Sequence, residues 1–154
     1  MLVIGCGNRD RSDDGAGVMV AERVRKLGVH AEICTGESLA LIETWSRADD
    51  VILVDAVVTG APAGKVWLWN ARSQKIQRSV STSTHGLGVA EAIELAHPLG
   101  RLPHRLQVLG IEGRRFDIGG DLSPEVACAV EEAVQRVVAE VLRHHRVHGN
   151  LKCE

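Results

Sequence analysis

The sequence predicts an α/β fold, with a twisted, mostly parallel β-sheet of about five strands flanked by helices on both faces of a single three-layer domain. Short apolar runs alternate with stretches of helical periodicity along the chain. Val51-Ile52-Leu53-Val54 is apolar on both faces, as a central strand covered on each side by helices must be. A length of 154 residues, 45% hydrophobic and 25% charged, suits one domain and leaves little room for a second. The expected domain covers residues 1–146, followed by a polar tail at 147–154.

The first strand is Leu2 to Gly5, running into the glycine loop Gly5-Cys6-Gly7-Asn8. From Gly15 the spacing turns helical at Ala16, Val20, Val24 and Leu27. A second strand lies around His30 to Cys34, after which Ser38 can cap a helix with Leu41, Ile42 and Trp45 on one face. The central strand is expected to stop at Asp55. Gly60 to Gly64 is a turn, and the alternation in Lys65 to Trp69 suggests an antiparallel strand near an edge. A polar run from Ser79 to Thr84 leads through His85-Gly86-Leu87-Gly88 into a helix from about Val89 to Ala96. Arg105 to Ile111 is the last strand. Ser123-Pro124-Glu125 then starts a helix, with Ser as cap and Pro in the first turn. Its stripe is Val126, Val130, Val134, Val137 and Val141, and the chain after Arg143 is expected to fray.

Composition excludes several classes of function. Eighteen basic and twenty acidic side chains give a net charge of -2, which provides no general pull toward nucleic acid. Aromatic residues make up 3% of the chain, with no Tyr, too few for a base-stacking platform. The longest run without Asp, Glu, Lys or Arg extends only from Ser79 to Ala90, well short of the ~20 apolar residues of a membrane span. The N-terminus lacks the basic flank and cleavage site of a secretory leader, so a cytoplasmic location is expected. Cys6, Cys34, Cys128 and Cys153 are scattered without a Cys-x-x-Cys pair, which reads as reduced thiols.

Loops leaving the carboxyl ends of parallel strands form the functional edge of such a sheet, and Asp14, Asp55 and His85 fall there. Two carboxylates and an imidazole suit a divalent transition metal with open positions. Plainer readings accompany each of them. Asp13 and Asp14 can stabilise a helix N-terminus, and His85 can be a satisfied loop histidine. Asp55 ends an apolar strand, where a carboxylate is costly to bury without partners. The start of a dinucleotide fingerprint at Gly5-Cys6-Gly7 breaks at Asp10, and Asp10, Asp13 and Asp14 would repel a pyrophosphate. Cys6 reads as a small buried residue and not as a nucleophile. His144, His145 and His148 read as a solvated tail, although positions 144 and 148 share a helix face.

Gly5-Cys6-Gly7-Asn8 with Asp13-Asp14-Gly15-Ala16-Gly17, the central Val54-Asp55-Ala56, and Thr84-His85-Gly86-Leu87-Gly88 together resemble the hydrogenase maturation proteases. Gly110-Ile111-Glu112 and Leu122-Ser123-Pro124-Glu125-Val126 extend the resemblance over nearly the whole chain. It implies a nickel-dependent, aspartic-type endopeptidase that removes a C-terminal extension from the precursor of a nickel-iron hydrogenase large subunit once nickel is inserted. The nickel arrives with the substrate. The resemblance carries metal contacts over to Asp14, Asp55 and His85 and gives Asn8 and its glycines a shaping role, and the chemistry of proton transfer beside a bound ion makes Asp14 and Asp55 the candidate catalytic carboxylates. A non-catalytic nickel-binding chaperone is the alternative. Gly86 and Gly113 depart from the family pattern, which commonly has a larger polar residue and a Pro there.

Overall fold

The computed structural model describes residues 1–73, 81–82 and 88–149. The strands are β1 (Leu2–Cys6), β2 (Ala31–Cys34), β3 (Asp50–Val58), β4 (Val66–Asn70), β5 (Ser81–Thr82) and β6 (Arg105–Glu112). The helices are α1 (Ala16–Lys26), α2 (Ser38–Trp45), α3 (Gly88–Ala96) and α4 (Pro124–Gly149), with a 3-10 turn at Ser12–Gly15 ahead of α1. One sheet runs in the order β2-β1-β3-β6-β4. β1, β2, β3 and β6 are parallel, whereas β4 lies antiparallel at the edge, as its alternating pattern predicts. β5 pairs antiparallel with the far end of β3.

Both faces of the sheet are covered, because the parallel connections carry helices across it. On one face Val3, Ile52, Val54, Leu109 and Ile111 pack against Val20 and Val24 of α1 and the valine stripe of α4. On the other, Leu2, Ile4, Val51, Leu53 and Leu106 meet Leu41, Ile42 and Trp45 of α2 and Val89, Ala92 and Ala96 of α3. Trp45 is fully buried, and its indole N–H donates to the Arg101 carbonyl at 2.9 Å. Among the described residues no helix is long and apolar enough to cross a membrane.

Four sequence expectations are corrected. β3 does not stop at Asp55 but continues to Val58, held by β6 through Val57↔Glu112 and by β5. What ends near Asp55 is the pairing with β1, whose last β3 partner is Val54. Ser38 does not cap α2. Glu37 occupies that position, and the Ser38 hydroxyl donates to Glu91 of α3 at 2.8 Å, tying the two helices together. Leu27 lies just beyond α1 and is 64% exposed, so the stripe stops at Val24. The chain after Arg143 is helical to Gly149 and does not fray there.

Glycine sets how closely α1 approaches the sheet. A Cβ on Gly17 would stand 2.3 Å from the Val54 carbonyl oxygen and 2.5 Å from that of Cys6. On Gly5 it would meet the Gly17 carbonyl at 2.3 Å, so the helix and the strands touch backbone to backbone. This contact brings the first turn of α1 down onto the carboxyl edge of β1 and β3, where the candidate residues converge.

Candidate active site

Asp13 and Asp14 are adjacent in sequence but do different work. Ser12 precedes them with φ 50°, a left-handed turn uncommon for a side-chain-bearing residue, and its hydroxyl donates to the Asp117 carbonyl at 3.0 Å. Asp13 turns under the β6–α4 loop. Its carboxylate accepts hydrogen bonds from the backbone N–H groups of Arg114, Arg115 and Ser123 and from the Ser123 hydroxyl, at 2.7–2.8 Å. Burial alone would raise the Asp13 carboxyl, but these donors bring it below its ordinary value. Asp13 is a structural clamp, and the Ser123 hydroxyl is engaged with it.

Asp14 faces the other way, into an open cleft of about 860 Å³ at the carboxyl edge of the sheet. Asn8, Asp14, Ser38, Asp55, Gly88 and Glu91 all line this cleft. One Asp14 oxygen accepts the Asn8 backbone N–H at 3.1 Å. The other, Oδ1, is buried and has no hydrogen-bond partner among the described residues. A buried carboxylate oxygen without a donor is costly unless the site is built to receive something that supplies one.

Asp55 is 4% exposed on the same cleft. It shares a strand face with Val51 and Leu53, so it emerges on the α2/α3 side, just past the last β1 partner. Burial, reinforced by the negative charge of Asp14, pushes its carboxyl up to about 8, against a smaller opposing pull from the Ala56 backbone N–H. Through neutral pH, Asp55 therefore carries a proton. His85 lies outside the described residues; Gly88, three positions further along the chain, lines the cleft.

The glycine loop shapes this site without cradling an anion. Gly7 has φ 127°, and a Cβ there would fall 1.9 Å from the Asp14 carbonyl oxygen, so only glycine fits. The Asn8 side-chain oxygen accepts the Asp10 backbone N–H at 2.9 Å, and the Asn8 backbone N–H donates to Asp14. A loop amide that already holds a carboxylate is not available to a pyrophosphate. Cys6 is fully buried, and burial, then the charges of Asp55, Cys34 and Asp14, raise its thiol well above the ordinary value. It has none of the thiolate character a nucleophile requires. Cys34, its cross-strand neighbour, is likewise buried and free, and Cys128 is free and exposed.

Sequence reasoning did not foresee the work of Glu112. It is 1% exposed and accepts hydrogen bonds from the Thr59 N–H at 2.7 Å, the Thr59 hydroxyl at 2.8 Å, the Gly60 N–H and the Trp67 indole. It gathers the end of β3, the following turn and β4 around the end of β6. Its position at the end of an apolar strand is the same signal that singled out Asp55, but here four donors meet the carboxylate.

A model of the hydrogenase maturation protease family matches residues 36–140. The chain belongs to that family. Among relatives of hydrogenase maturation, a hydrogenase expression/formation protein (HupD) of Bradyrhizobium diazoefficiens is 32% identical, with 91% of this chain and 78% of that protein covered. A HupD of Thiocapsa roseopersicina is 26% identical over 88% of this chain, and the alignment spans 64% of that protein's length. The hydrogenase maturating endopeptidase HybD from Escherichia coli superimposes with a TM-score of 0.76 at 23% identity, over 93% of this chain and 92% of that one, and so shares the fold.

Proposed function

We propose that this protein is an endopeptidase that removes the C-terminal extension from the precursor of a nickel-iron hydrogenase large subunit, recognising nickel already inserted in that substrate. Asp14, Asp55 and His85 are the residues through which it contacts the substrate-borne ion. The observation that carries this reading is the pairing of Asp14, with its unpartnered Oδ1, and Asp55, held protonated up to about pH 8, on one cleft. Two carboxylates that repel one another in a buried place gain from a cation that neutralises both. Family membership supports the class of reaction.

The Asp55 proton gives the cleft by itself a low appetite for metal, because an incoming cation must displace it. That suits an ion delivered by another protein. Nickel, when the precursor presents it, supplies Lewis acidity beside the scissile carbonyl. Hydrolysis adds water across the amide, the hydroxyl going to the carbonyl carbon and the proton to the leaving nitrogen. Asp14 accepts a proton from the attacking water and passes it to the leaving nitrogen, so that its carboxylate ends as it began, while Asp55, its proton given up to solvent when the ion arrives, stays ionised against the ion.

The test is gel mobility of nickel-loaded precursor incubated with the protein. A shortened product that Asp55→Asn fails to make supports the assignment. Stoichiometric binding with no change in precursor length would overturn it in favour of a nickel-binding chaperone using the same residues.

A further inference from the structure

At the opposite edge of the sheet from the cleft, Asp50, His144 and His148 each present a donor atom, and these atoms all lie within 4.8 Å of one another. We infer that these three residues form a second, separate binding site for a divalent transition ion. Asp50 is the first residue of β3 and Asp55 the sixth, which at ~3.3 Å per residue sets the two about 17 Å apart along the strand. α4 begins beside the Asp13 clamp at the carboxyl edge and runs back to deliver His144 at the amino edge. His148 follows one helical turn later on the same face, with ring centroids 4.4 Å apart.

Two observations point to a ligand rather than to a simple hydrogen bond. His144 Nε2 stands 2.5 Å from Asp50 Oδ2, in side chains only 11% and 15% exposed. This contact satisfies one ring nitrogen, yet Nδ1 is buried without a partner among the described residues. The exposed His148 ring lies tilted at 44° against the His144 ring, with a donor atom within 4.8 Å of those of Asp50 and His144, although no hydrogen bond links it to either. A carboxylate contacting one imidazole with a second imidazole four residues along is a donor set that borderline ions such as zinc, cobalt and nickel accept. Magnesium and calcium, which prefer all-oxygen ligands, fit it poorly. Three ligands leave open positions, and the bound ion would pin the last turns of α4 to the start of β3.

The experiment uses the full-length protein, stripped with a chelator, in an Asp14→Asn/Asp55→Asn background that removes the cleft carboxylates. Zinc is titrated by calorimetry and cobalt by its visible absorption, alongside thermal unfolding. The expected result is one equivalent of zinc bound, with a rise in Tm, and a loss of affinity of about tenfold or more in His148→Ala. His148 is exposed, so this variant keeps the fold, which circular dichroism checks. In the otherwise native chain, His148→Ala leaves precursor processing unchanged. Absence of zinc binding at millimolar concentration, or binding that His148→Ala does not weaken, would show that Asp50 and His144 form only a structural hydrogen bond.

Discussion

At the scale of single residues, the two neighbouring carboxylates of the first loop can be separated by substitution. Asp13→Asn leaves four donors facing a group that can satisfy only some of them, and is expected to cost about 2–4 kcal/mol in urea unfolding. Because the Asp13 carboxyl is lowered in the folded state, its contribution is present above about pH 4, the ordinary Asp range, and is lost as pH falls through the lowered value. Asp55 has the opposite sign. Its neutral form favours the fold, so that stability is complete below about pH 4 and declines as pH rises to about 8, above which both states are ionised. Asp55→Asn should therefore abolish processing while raising Tm over wild type, by a margin that grows from about pH 4 to about pH 8. Tm–pH curves that run parallel for the two proteins would remove the buried-proton account. Cys6→Ala, at a cost of about 1 kcal/mol from a small lost volume, is expected to retain cleavage. Loss of cleavage with an intact fold would restore a thiol mechanism.

At the scale of elements, the site depends on how tightly α1 sits on the sheet. Gly17→Ala puts a methyl group into the Val54 and Cys6 carbonyls, neither of which can move without breaking strand pairing. The helix must lift instead, at an expected cost of about 1–3 kcal/mol and with Asp14 displaced from Asp55. Processing by this variant should fall further than its change in urea midpoint explains. Full activity at reduced stability would mean that the cleft tolerates a shifted helix. The elements were largely legible in the sequence because apolar periodicity records which faces are buried, and the α4 valines fell where the stripe placed them. Their ends were less legible. β3 runs three residues past Asp55 because β5 and β6 supply partners there, and no local pattern around Asp55 announces pairing with Thr82 or Glu112.

At the scale of the whole molecule, the parallel sheet carries a cluster of ionisable groups at each of two opposite ends and a hydrophobic cluster on each face. The carboxyl edge carries Asp14 and Asp55; the amino edge carries Asp50 with the end of α4. The proposed processing reaction belongs to the first edge alone and takes its nickel from the substrate. Purified protein should accordingly cleave nickel-loaded precursor without added metal and leave nickel-free precursor intact. Rapid cleavage of nickel-free precursor in the presence of a strong chelator would instead identify a carboxylate-based protease that reads only the peptide.

By itself the sequence determined the class of fold, the antiparallel edge strand and the burial of Cys6, and it pointed to Asp14 and Asp55, which the structure finds on one cleft, because apolar runs and glycine turns are written in local residue order. Only the tertiary structure separated Asp13 from Asp14, since the donors that occupy Asp13 come from residues about a hundred positions away. It also turned two of the three histidines expected in a solvated tail, His144 and His148, into a cluster with Asp50, while His145 stays exposed. Periodicity reports which face of a helix is apolar, but the group that meets a polar face depends on where the helix ends against a distant strand.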